Sequence, residues 1–124
     1  QTARIIKKNT KYPVKIIYDP NFVERNFANL ESKVVDEAYE LMKSLDFDTT
    51  NYETDELLIS RVIENIKKLE KCNYKNVLIV THSHVIKAVY KYLDPASDIF
   101  FQNIISNGSV HKFKLENDLI TKEV

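Results

Sequence analysis

Residues 77–80 read Val-Leu-Ile-Val, and Thr81 closes the run before the polar His82. A short, unbroken, β-branched stretch with no polar alternation is the pattern of a strand covered on both faces, as in a parallel sheet. Immediately after it, Val85, Ile86, Ala88, Val89, Tyr92 and Leu93 fall at helical spacing. Strand, short turn and helix form the unit that places functional groups at the carboxyl edge of a parallel sheet. Parallel strands cannot be joined by tight hairpins, so the run commits the chain to an α/β architecture with crossover helices.

The rest of the chain supplies the other elements. A short helix ends near Asn9, and Pro13 introduces a strand over residues 14–18. Asp19-Pro20-Asn21 turns the chain, and residues 22–31 lack a clean period, which reads as an ordered loop. Ser32 N-caps a helix to Leu45 with Val34, Val35, Ala38, Leu41, Met42 and Leu45 on one stripe. Thr54 caps another that ends near Lys71, where Leu58, Ile59, Val62, Ile66 and Leu69 face inward and Asp55 and Glu56 favour the N-terminal dipole. Residues 109–115 and 119–124 form strands joined by Glu116-Asn117-Asp118. Together they predict a three-layer α/β sandwich, with a mixed, mostly parallel sheet and helices on both faces.

At 124 residues and 14.5 kDa the chain is read as one domain over residues 1–124. Eighteen basic and eighteen acidic side chains cancel, so no long-range field gathers nucleic acid or an anionic membrane. The apolar runs are far shorter than the roughly 20 residues of a membrane span. Cys72 is the sole cysteine, which excludes an internal disulfide and paired-cysteine zinc motifs and fits a cytoplasmic setting. The chain opens at Gln1 although its only methionine is Met42, and the first helix has no residue upstream to cap it. We therefore expect the domain to be incomplete at its N-terminus.

Thr81-His82-Ser83-His84 stands where the buried strand hands over to a helix. Backbone N–H groups at that helix start favour an anion, and an imidazole there can donate to a phosphate oxygen. The competing readings are a histidine that serves only as a cap, or a zinc site on His82 and His84 completed by His111, Glu24 or Asp19. Glu24 lies in the irregular loop, where a carboxylate can be held near the sheet edge, or can simply be a solvated charge. Glu53, just before the Thr54 cap, has a plain alternative as a helix-dipole partner.

Taken in order, these segments resemble the histidine phosphatase, or phosphoglycerate mutase-like, superfamily over nearly the whole chain. Gln1-Thr2-Ala3 resembles the Gln-Thr-Ala after that family's second arginine motif, and the segment from Phe22 through Glu24 and Phe27 to Ser32 its Leu-x-Glu-x-x-Phe-Gly-x-x-Glu-Gly loop. Glu53-Thr54 with Arg61-Val62 is similar to its Glu-Ser helix start and later Arg-Val. Residues 77–82 resemble the strand that ends in its second catalytic histidine, and Asn107-Gly108-Ser109 the asparagine-bearing approach to the next strand.

The resemblance implies hydrolysis of a small phosphomonoester with no metal and no cofactor. Glu24 would protonate the leaving alcohol and His82 would hold the transferring phosphoryl group. Ser83, Glu53, Thr54 and Asn107 would stand on the substrate or phosphate side. The short stretch from Glu24 to Glu53 is similar to the compact phosphatase branch, such as the α-ribazole phosphatase type, rather than to the mutases. The family's nucleophilic histidine belongs to an Arg-His-Gly motif absent from this sequence, as is the arginine before Gln-Thr-Ala. The chain alone is therefore expected to be nearly inactive. In the family the nucleophile's strand pairs beside the one ending at His82, so strand exchange or association with a second copy is expected through the open edge. Ala28, Ser32 and Ser83 replace family glycines, which supports an alternative: an inactive remnant that binds an anion or a partner.

Overall fold

The computed structural model describes residues 1–26 and 52–123. Three α-helices occur there: α1 (Thr2–Asn9), α2 (Asp55–Lys68) and α3 (Ser83–Leu93). A β-hairpin of β1 (Phe113–Glu116) and β2 (Leu119–Lys122) follows. The helix expected over residues 32–45 lies outside the described residues. No helix among the described residues is long and apolar enough to cross a membrane.

The start of α2 follows from local chemistry. Thr54 is its N-cap, with Oγ1 accepting from the Leu57 N–H at 3.3 Å, and Asp55 and Glu56 occupy the first turn. The helix ends at Lys68 and tightens into a 3-10 turn over Leu69–Cys72, which closes on Asn73 in the left-handed region. Leu58, Val62 and Ile63 of α2 belong to the core cluster with Val85, Ala88 and Val89 of α3. Phe100 and Ile120 complete that cluster, and Phe113 and Leu115 pack against it from β1. The hairpin alternates because one face only is covered. Its two-residue loop, Asn117 and Asp118, has positive φ at both positions, as a type I′ turn requires. Glu70 accepts from the Asp118 N–H with both carboxylate oxygens, which fastens the turn to the end of α2.

The expected parallel sheet is absent among the described residues: the sheet there has two antiparallel strands. Neither residues 14–18 nor residues 77–81 enter a ladder, and Val77, Leu78 and Val80 are 47%, 62% and 40% exposed. The strand predicted as covered on both faces is thus largely open to solvent. Composition marks a segment able to pair, but a ladder also needs a neighbour at about 4.8 Å, and the described residues offer none. The described residues are α/β, as expected, in the form of three α-helices and one antiparallel hairpin. α1 forms as expected but buries none of its residues.

His84 lies in the first turns of α3, buried, with its ring stacked on Phe100 at 5.9 Å and an interplanar angle of 6°. Burial, with Lys87 and Arg25 nearby, pushes its pKa down to about 3. The unfolded chain, with histidine near its ordinary value of about 6.5, therefore binds more protons than the native state as pH falls. The stabilisation is complete above that value and is lost progressively toward the folded one. Thermal unfolding followed by circular dichroism should show Tm dropping between about pH 7 and pH 5, where most carboxylates are still ionised. His84→Gln should flatten that slope, leaving the residual contribution of His111, whose pKa is also lowered by burial and by Lys122.

Candidate active site

His82 occupies the N-cap position of α3 with extended backbone angles, yet its side chain makes no capping hydrogen bond. The imidazole is therefore not consumed by the helix, and His82 is exposed. No acidic residue stands in the first turn, so the positive end of the helix dipole is not offset there. Across from it, the Ser109 N–H donates to the Ser106 carbonyl at 3.2 Å. Gly108 has φ of 75° while Asn107 keeps negative φ, the arrangement of a type II turn. That is the one place where the sole glycine is required, because a Cβ would strain the left-handed backbone although nothing lies within 4 Å to block it.

Between these walls is a cleft of about 250 Å³ that brings Glu24, His82, Ser83 and Asn107 together. Thr81, Ile86 and the rest of the Ser106–Ser109 turn complete its lining, with Ile105. Glu53 and Thr54 do not line it; they stand at the start of α2, joined to the cleft through the segment that carries Glu24. His84 and His111 are not lining residues either.

Glu24 sits on a segment held by arginines. Arg61 forms a two-pronged pair with Glu53, Nε to Oε2 at 2.8 Å and Nη2 to Oε1 at 2.9 Å. Its remaining nitrogen, Nη1, donates to the carbonyls of Asn21 at 2.7 Å and Val23 at 3.0 Å. Glu53 also accepts from the Asn26 N–H at 3.2 Å, and its own N–H donates to the Asn26 carbonyl at 2.9 Å. Burial alone would raise the Glu53 carboxyl, but the hydrogen bonds from Arg61 and Asn26, with the charges of Arg61 and Arg25, outweigh it and hold the pKa low. Thr81 Oγ1 donates to the Phe22 carbonyl at 2.6 Å, tying the same segment to the approach of α3.

Arg25 is buried at 3% exposure. Its Nε donates to the Glu53 carbonyl at 2.9 Å and its Nη2 to Asp55 Oδ1 at 2.7 Å. The guanidinium lies 4.6 Å from the Tyr52 ring centre and 5.1 Å from that of Phe100. With Arg25 fixed, its N–H donates to Glu24 Oε1 at 2.8 Å and restrains the carboxylate directly. Sequence reasoning missed Arg25, whose partners lie 28 and 30 residues away. Arg61 entered only through a motif, although its place eight residues after Glu53 was a usable signal.

His111 bridges Tyr90 and Ser109: Nδ1 is 2.6 Å from the Tyr90 hydroxyl and Nε2 is 3.0 Å from Ser109 Oγ. It is thereby separated from the zinc set considered for His82 and His84. Among the described residues, no group of three or more His, Cys, Asp or Glu side chains is placed to hold a metal ion.

Arg61 serves a carboxylate and two carbonyls at once, which a lysine ammonium cannot reproduce in that planar geometry. Arg61→Lys should lower stability by about 1–3 kcal/mol in urea unfolding, because charge-assisted hydrogen bonds are lost from a half-buried site. It should also broaden or shift the amide resonances of residues 21–26, whereas α3 away from the cleft should keep its spectrum.

No curated protein and no solved structure matches the chain. The family model described as histidine phosphatase superfamily (branch 1) matches residues 1–123, nearly the full length. That match agrees with the order of motifs and with the cleft that gathers Glu24, His82 and Asn107: the chain belongs to the histidine phosphatase superfamily.

Proposed function

We propose that the cleft is the acid and phosphate-holding half of a phosphomonoesterase site of the compact phosphatase type. The observation that carries this is the convergence, in one small cleft, of a restrained carboxylate, an imidazole free of helix capping and an unneutralised helix N-terminus. His82 donates to a phosphoryl oxygen, the start of α3 at Ser83 and the Asn107 side chain serve the others, and Glu24 faces the ester oxygen. Glu53 and Thr54 act from the substrate side through the segment they anchor.

The reaction needs a nucleophile that these residues do not supply. Of the three histidines in the sequence, His84 is buried against Phe100 and His111 has both ring nitrogens engaged. In this proposal the nucleophile is the Arg-His-Gly histidine that the family resemblance implies, carried by a segment that these residues do not include. Its imidazole nitrogen attacks phosphorus while the bond to the ester oxygen breaks, and the Glu24 carboxylic acid gives its proton to the departing alkoxide. The Glu24 carboxylate then takes a proton from the water that attacks the phosphorylated imidazole, which releases inorganic phosphate and restores both groups. Among the described residues no arginine or lysine lines the cleft, so in this reading the segment that brings the nucleophile also brings cations to the transferring phosphoryl group.

The open run at residues 77–81 supports the same reading, because a strand entering beside it would complete the mixed, mostly parallel sheet and deliver the nucleophile to His82. Without that strand, the edge is available to a second copy or to strand exchange. The substrate is a small phosphorylated molecule, and the single exposed Cys72 suits a reducing, cytoplasmic setting. The serine at position 83, where the family carries glycine, supports the inactive, anion- or partner-binding alternative, and turnover separates the two.

The chain by itself should show little or no hydrolysis of p-nitrophenyl phosphate, while inorganic phosphate should shift the His82, Ser83 and Asn107 amide resonances. Clear turnover by the chain alone would refute the need for an outside nucleophile. Joined to a segment carrying Arg-His-Gly, the protein should become active; binding without turnover would favour the inactive alternative. In the active form, Glu24→Gln should reduce kcat for alkyl phosphates by about 10²–10⁴-fold but far less for p-nitrophenyl phosphate, whose leaving group needs little protonation.

A further inference from the structure

The Ser109 hydroxyl lies 2.7 Å from the Ser106 carbonyl, which can only accept, so its proton points there. Ser109 Oγ must then accept from His111, which fixes the imidazole proton on Nε2 at a separation of 3.0 Å. The other ring nitrogen is left with its lone pair and accepts from the Tyr90 hydroxyl at 2.6 Å. All protons thus run one way, from Tyr90 through His111 and Ser109 to the Ser106 carbonyl, and each donor in the chain has its acceptor.

The two ends of this chain belong to opposite walls of the cleft. Tyr90 is on α3, one turn beyond the lining residue Ile86, on the helix that begins at Ser83. Ser106 and Ser109 are the ends of the turn that presents Asn107 and Gly108. Ring contacts hold the Tyr90 end: its ring meets His111 edge-on at 5.5 Å and Phe113 of β1 at 5.4 Å. We propose that Tyr90, His111 and Ser109 form a positioning relay that sets the Asn107 turn against the start of α3, and so fixes the width and donor geometry of the anion site. The proposal rests on the phosphate reading above and assigns a role to Tyr90 and His111, which do not line the cleft, acting through Ser109, which does.

The relay acts as a unit, so its members should not contribute independently. Titration of the chain with inorganic phosphate, followed at the His82 and Asn107 resonances, should give a Kd about tenfold weaker for Ser109→Ala and several-fold weaker for Tyr90→Phe, which keeps the ring. The double variant should bind no more weakly than Ser109→Ala alone, because the link is already cut; independent packing roles would instead add. Nitrogen-15 spectra of the unmodified chain at neutral pH should show His111 as the Nε2–H tautomer. If phosphate leaves the unmodified chain unmoved, the phosphate reading falls and the relay's role with it. Phosphate binding that neither variant alters, or losses that simply add, would overturn the relay alone. A protonated or Nδ1–H His111 would overturn it too, with no variant needed.

Discussion

Much of the described structure hangs on the Arg61 guanidinium. One planar group neutralises Glu53 and saturates two carbonyls of the segment before Glu24. A loop of irregular sequence would otherwise expose these carbonyls to competition from water and lose its shape. The arginine stands on α2 beside the stripe that carries Leu58 and Val62, both fully buried. The packing that fixes the helix therefore also fixes the cation, and the cation fixes the carboxylate-bearing loop. Side chains at about 20% and 15% exposure keep part of their hydration, so this pair avoids most of the desolvation cost of a fully buried ion pair.

Phe100 links the two halves of that arrangement from inside the core. Its ring is stacked with His84 and lies near the Arg25 guanidinium. The loop that holds Glu24 and the helix that begins beside His82 thus share one aromatic side chain. Such sharing converts hydrophobic packing into a constraint on the separation of two polar groups, since a close-packed interior resists small displacements.

The sequence made some of this plain because some of it is local. The Thr54 cap, the acidic first turn of α2 and the Asn117-Asp118 hairpin loop each depend on residues within a few positions of one another. The same holds for the stripe of α3, although Tyr92 ends on its more exposed side. The association of Glu24, His82, Ser83 and Asn107 was legible from the order of motifs rather than from any of them singly. What was hidden is nonlocal. Residues 77–81 have the composition of a covered strand, but composition carries no information about whether a neighbour is there. Arg25 looked like any loop arginine until its distant partners Glu53 and Asp55 were in place. His111, first considered as a metal ligand, is instead claimed by Tyr90 and Ser109, a choice that only the packing of α3 on the hairpin makes.

The open run at Val77, Leu78 and Val80 also has a thermal consequence. Apolar groups released from water give a driving force that is entropic near room temperature and carries a negative heat-capacity change. Backbone pairing along the same edge adds direction but gains little net free energy, because water already serves those groups. Closure over this edge is therefore favoured by gentle warming and weakened by cold, so a sheet completed there belongs to the class of assemblies that loosen on ice.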